Sequence, residues 1–233
     1  MTAPLLVYYG WPSCINGSPS TVAATAEFNR YDFVVLGAGL EDRGHPDHLR
    51  TWLIIRNGSA KVYGYVDVGM TTSGHTLRRI RRSMRRWKRM GAVGVMLDDF
   101  GSDFGVTGRR QRRCVDAAHA LGLSVIVNIW NPTTGLGDRV GLNVGDYLLC
   151  ESFYIKEGQY DPDWLNRADQ FKAVGVWYGC GVMSVTTASP SSPFRPDLLA
   201  EAWYAARGAG HIAFGWGEWN YSAYGVAPWR ERP

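Results

Sequence analysis

Cysteine is sparse and unpatterned in this chain. Four residues in 233, Cys14, Cys114, Cys150 and Cys180, include no CxxC pair and no regular spacing, which excludes a disulfide framework. Cys150 and Cys180 fall in apolar strand-like runs and read as buried thiols. Cys14 sits in a Gly/Ser/Pro loop, where no neighbouring base marks it as a nucleophile. Long hydrophobic runs are also missing: none approaches the roughly 20 residues of a membrane helix. The start, Met1-Thr2-Ala3-Pro4-Leu5, lacks the basic and apolar regions of a secretory signal. The expectation is a chain that is cytoplasmic when made, released by a non-signal route, or trimmed. GxSxG, the P-loop and a GxGxxG with an acidic partner are absent, so acyl transfer, nucleotide hydrolysis and dinucleotide binding lack support. The only close histidine pair, His45 and His48, has no third ligand spaced to join it. No metal and no cofactor is expected.

What remains is an ordinary globular composition, 45% hydrophobic and 20% charged, with enough residues for one sizeable core. Net charge is only +4, but eight of the twelve residues from Arg78 to Arg89 are Arg or Lys, and Arg109, Arg110, Arg112 and Arg113 follow. Leu77, Ile80, Met84 and Trp87 recur at helical spacing inside the first cluster, which makes it an amphipathic helix with a narrow apolar stripe. Its basic side reads as a solvated outer face. The alternative is a flank for an anionic polymer, a virion or nucleic acid.

Strand-like and helix-like runs alternate throughout. Strands are expected at 5–10, 31–40, 61–70, 92–100, 123–131, 146–155, 175–185 and 211–219. Helices are expected at 21–30, 46–56, 75–90, 107–121, 161–174 and 197–208, and only the Gly-rich fifth connection, 132–145, lacks a clear one. Eight βα units imply a closed parallel barrel, and no linker divides the chain. The expected fold is α/β, a single (β/α)₈ TIM-type barrel over residues 1–233.

In such a barrel the carboxyl ends of the strands form the working face. Two apolar strands end there on acids: Val93 to Asp99, and Tyr147 to Ser152 through Glu151. Carboxylates at the end of an apolar run are costly unless paired or used. Side-chain alternation places Tyr63, Tyr65 and Asp67 on one face of the third strand, and Gly94, Met96 and Asp98 inside the barrel on the fourth. Asp99 then turns toward the helices or the loop, and Asn128 and Trp130 point inward from the fifth strand. Asp98 and Glu151 are therefore the expected catalytic pair. Tyr8, Tyr9, Trp11, Tyr65, Asp67, Asp99, Asn128, Trp130, Tyr154, Trp216 and Glu218 are the expected substrate-binding residues, since aromatic platforms beside carboxylates and amides suit sugars.

Tyr8-Tyr9-Gly10-Trp11-Pro12, Val62 to Gly69, Gly91 to Asp99 and Glu151-Ser152-Phe153 together resemble one family of enzymes. These are the barrel glycoside hydrolases related to endo-α-1,4-polygalactosaminidases, with spherulin-4-like and Pel-polysaccharide hydrolases as cousins. The resemblance implies Asp98 and Glu151 as the catalytic acids. This chain departs from the pattern at Gly69-Met70, where relatives often carry an acid after the glycine, and at Asn128-Ile129-Trp130-Asn131-Pro132.

The sequence thus reads as an endo-glycosidase on a polysaccharide, amino-sugar polymers among the candidates, associated with a cell envelope or a phage. Two other readings stay open. One is a silent barrel used for carbohydrate binding or as a structural module. The other is a metal-dependent phosphodiesterase, in which Asp67, Asp98, Asp99 and Glu151 would hold a hard cation.

Overall fold

The computed structural model describes residues 2–190 and 196–222. Eight parallel strands close into a barrel: β1 (Ala3–Tyr8), β2 (Phe33–Leu36), β3 (Lys61–Asp67), β4 (Gly94–Asp98), β5 (Ser124–Asn128), β6 (Tyr147–Cys150), β9 (Gly181–Val185) and β10 (Ala213–Gly215). Each pairs with its neighbours in sequence order, and β10 closes onto β1. A two-stranded hairpin, β7 (Ile155–Lys156) with β8 (Gln159–Tyr160), lies outside the barrel. The surrounding helices are α1 (Thr21–Phe28), α2 (His48–Asn57), α3 (Leu77–Met90), α4 (Gly108–His119), α5 (Pro132–Gly135), α6 (Trp164–Tyr178) and α7 (Pro196–Ala209). None of the described helices is long and apolar enough to cross a membrane.

Alternation along the strands divides the core into two layers. Val7, Val35, Tyr63, Met96, Ile126, Leu149 and Met183 pack inside the barrel. Leu6, Val34, Val62, Val95, Val125 and Leu148 point outward, against the helices. Ile80, Met84, Trp87 and Met90 form the buried stripe of α3, each contributing roughly 1.5–3 kcal/mol by burial. Trp87 lies directly over β3, where a Cβ at Gly64 would come 2.0 Å from its ring. Its indole N–H donates to the Tyr65 carbonyl at 3.2 Å. The glycine thus lets α3 approach closely enough to fix the strand that carries Tyr65.

The elements differ from the sequence expectation mainly at their ends. The sixth strand stops at Cys150, because Ser152 and Tyr154 take positive φ and turn the chain into the hairpin. Helix α6 runs on to Tyr178 and is ended by Gly179 at φ 68°, so the next strand begins at Gly181, well after the expected 175. A short helix, α5, occupies the start of the fifth connection. The last strand covers only Ala213–Gly215, followed by a 3₁₀ turn over Trp219–Ser222.

Candidate active site

Asp98 ends β4, Asn128 ends β5 and Glu151 follows β6, all at the carboxyl end of the barrel. The Asn128 side-chain nitrogen donates to Asp98 Oδ1 at 2.7 Å and to Glu151 Oε2 at 3.0 Å. The two carboxylates are therefore bridged by one amide. Glu151 Oε1 accepts the hydroxyl of Tyr221, which comes from the turn after β10. Tyr65, one residue pair in from the end of β3, stands beside Asp98, whose charge helps hold its phenol protonated. Tyr9 stands between these tyrosines, its ring centroid 5.4 Å from Tyr65 and 5.1 Å from Tyr221. The Tyr9 N–H donates to the Tyr221 carbonyl at 2.9 Å, which ties the turn to the end of β1.

Burial acts on these groups in one direction, disfavouring charge. It pushes Asp98 up from 3.8 to about 6, the charges of Asp99 and Glu151 adding to the effect while hydrogen bonds from Tyr65 and Asn128 oppose it. Asp99 is also raised, by burial and then by Asp67 and Glu151. The phenols of Tyr9, Tyr65 and Tyr221 are held well above their ordinary value, by burial first and then by the nearby carboxylates. They are hydrogen-bond donors throughout the accessible pH range.

Asp67 and Asp99 stand beside the pair. Asp67 accepts the Gly69 N–H at 2.8 Å and the Thr72 hydroxyl at 3.2 Å, and Asp99 sits at φ 51° as the chain leaves β4. Glu218 is raised by burial, and its carbonyl receives the Tyr221 N–H at 2.9 Å. Trp11 is exposed and packs edge-on to His45 at 5.7 Å. Trp130 is exposed, with Lys156 Nζ and Arg167 Cζ over its ring at 5.1 and 5.0 Å, so cations cover it where a sugar face was expected.

Three expected binding residues are not brought to the pair. Tyr8 is the outward neighbour of Val7; it is fully buried in the helix layer, 5.7 Å from Phe28, and the next residue, Tyr9, takes the inward place. Trp216 is likewise buried among the helix-side residues. Tyr154 is turned by its positive φ toward the helices, where its hydroxyl donates to Glu201 of α7 at 3.0 Å. Two residues were missed. Tyr221 lies past the last strand, where only the run of aromatics after Trp216 hinted at it. Arg167 of α6 donates to the Glu151 carbonyl at 3.3 Å and to Asp161 at 3.2 Å, a role that helical periodicity cannot reveal.

His45 and His48 serve the β2–α2 connection. His45 Nδ1 accepts the Asp47 N–H at 3.1 Å, and His48 Nδ1 lies 2.8 Å from the Leu40 carbonyl. Among the described residues, no three His, Cys, Asp or Glu side chains converge as ligands of a cation would.

The chain matches no protein-family model and no curated protein sequence. Its fold is shared with solved structures. The glycoside hydrolase domain of PelA from Pseudomonas aeruginosa is 16% identical, with 96% of this chain and 98% of that one covered and a TM-score of 0.59. An endo-β-1,4-glucanase from Xanthomonas axonopodis pv. citri is 11% identical over 94% and 88%, with a TM-score of 0.55. An aldolase, QR15, is 10% identical over 96% and 90%, with a TM-score of 0.54. At such identities the likeness is one of barrel fold, which glycosidases share with enzymes of other chemistry.

Proposed function

We propose that this barrel is an endo-acting glycoside hydrolase that cleaves a polysaccharide with Asp98 and Glu151. The observation that carries the reading is the Asn128 bridge. Bonds of 2.7 and 3.0 Å sharing one nitrogen keep one oxygen of each carboxylate within about 5.7 Å of the other, which is compatible with the roughly 5–5.5 Å separation of a retaining pair.

The two acids have different surroundings, which separates their roles. Asp98, raised to about 6 by burial, keeps a proton to give in mildly acidic solution, where an ordinary aspartate has lost it. Glu151 accepts one hydrogen bond on each oxygen and is anchored through its carbonyl by Arg167, which suits an oriented nucleophile. In the first step Glu151 attacks the anomeric carbon while Asp98 protonates the departing glycosidic oxygen, leaving a glycosyl ester on Glu151. In the second, Asp98, now a carboxylate, takes a proton from water as that water attacks the same carbon and frees Glu151. Exposed Trp11 and Trp219, which follow the first and last strands, suit a polymer lying across the mouth.

The test is release of new reducing ends from a panel of polysaccharides. Wild type should cleave at least one member, with products of intermediate length, and Asp98→Asn and Glu151→Gln should each lose over a thousandfold while keeping the barrel's circular dichroism. A silent barrel gives no cleavage by wild type. A metal-dependent phosphodiesterase gives loss on chelation.

A further inference from the structure

A cavity of about 490 Å³ opens between the β2–α2 connection and the first half of α3, and its lining includes Tyr65, the neighbour of Asp98, and Asp67. It is strongly charged and of both signs: Glu41, Asp42 and Asp67 face Arg79, Arg82 and Arg86. Most of the acid oxygens already have donors. Asp42 pairs with Arg86 at 2.8 Å, Glu41 Oε1 accepts the Ser83 hydroxyl at 2.7 Å while its Oε2 is buried without a partner among the described residues, and Asp67 holds Gly69 and Thr72. Arg79 and Arg82 are exposed and have no acid partner among the described residues. The donors open to an occupant from solvent are therefore these two guanidiniums, which match carboxylate or sulfate groups.

A second cation flanks the other side of the acid pair. Lys156, on the hairpin after β6, holds its ammonium over Trp130, two residues past Asn128 at the end of β5. It too has no acid partner among the described residues. Behind Arg79 and Arg82, the exposed outer face of α3 adds Arg78, Arg81 and Arg85. These charges raise the local concentration of a polyanion and orient its approach.

We infer that the substrate is an acidic polysaccharide, with an anionic group of the sugar chain held by Arg79 and Arg82 in the cavity beside Tyr65 and another met by Lys156 across the cleft. This rests on the glycosidase reading and names the charge of its substrate. It runs against the amino-sugar polymers that the motif resemblance brings to mind, because a cationic chain would meet two unpaired guanidiniums and an ammonium.

The experiment measures binding of Glu151→Gln protein, which should not turn over, to matched polymers: polygalacturonate against its methyl ester, dextran sulfate against dextran, and chitosan. At 50 mM salt the anionic member of at least one pair should bind ten- to a hundredfold tighter than its neutral twin, and the preference should shrink steeply by 0.5 M salt. Arg79→Gln/Arg82→Gln should lose at least tenfold of that preference, while Arg109→Gln/Arg113→Gln on α4 should lose less than twofold. Equal binding of charged and neutral twins, or tighter binding of chitosan, overturns the inference and leaves the glycosidase reading intact. An equal loss in the α4 variant also overturns it, placing polyanions on the outer face of the barrel. Failure of every polymer to bind, together with no cleavage by wild type, overturns both readings.

Discussion

Tyr221 donates its phenolic hydroxyl to Glu151 although the two are 70 residues apart in sequence. The bond joins the turn after the last strand to the acid after the sixth, and so closes the site across the barrel mouth. Removing it with Tyr221→Phe should cost roughly 1.5–3 kcal/mol of transition-state stabilisation, the worth of a hydrogen bond to a charged group. The expected result is a ten- to hundredfold lower kcat with KM within about threefold. A variant with unchanged kcat would show that the contact does not orient Glu151.

Asp98 should set the alkaline side of the pH profile. As the proton donor it works only while protonated, so activity should fall as pH rises through about 6. The same shift acts on stability. The raised folded value means the contribution of protonated Asp98 is fully present below about 3.8 and lost as pH rises through about 6. Asp98→Asn should therefore raise the melting temperature by about 2–5 °C at pH 7.5, with no gain at pH 3.5. Calorimetry at the two pH values checks the sign.

His211 works in the opposite sense. It is buried, its Nδ1 lies 2.8 Å from the Ser184 hydroxyl, and burial lowers its pKa from 6.5 to about 4, with a smaller contribution from Lys172. The unfolded chain takes up this proton before the folded one does, so stability should be lost as pH falls from 6.5 toward 4. His211→Asn should flatten the slope of melting temperature against pH across that window. An unchanged slope would mean that another group is responsible.

The contact of α3 with β3 should tolerate no added carbon. A Cβ at Gly64 would sit 2.0 Å from the Trp87 ring, whereas one at Gly208, near the end of α7, meets nothing within 4 Å. Gly64→Ala should destabilise by about 2–4 kcal/mol through overpacking. Gly208→Ala should be neutral or stabilise by up to about 1 kcal/mol. Paired denaturant melts of the two variants separate close packing from a general effect of the substitution.

The barrel was legible because each strand is short and apolar and is separated from the next by a helical period or a glycine turn. Alternation was reliable wherever one face carried recognisable polar residues: it placed Tyr65, Asp98 and Asn128 on the inner side. It gave no choice between Tyr8 and Tyr9, where two consecutive tyrosines offer no polar contrast, and it does not reach Tyr154, where positive φ after Glu151 breaks the two-residue period. Tyr221 and Arg167 were illegible for another reason. Their contacts with Glu151 are made across the closed mouth and from a helix, and no local pattern encodes them. The covered face of Trp130 belongs to the same class, since the residues over it come from the hairpin and α6.

The closeness of Asp98 and Glu151 across Asn128 is tested most directly by the configuration of the first-formed product. Proton NMR, recorded within minutes of mixing enzyme with a cleaved oligosaccharide and before mutarotation, distinguishes the two anomers. Retention of the substrate's anomeric configuration is expected from carboxylates held by one amide nitrogen. Release of the inverted anomer would contradict the covalent role given to Glu151 and require a water acting between the two acids.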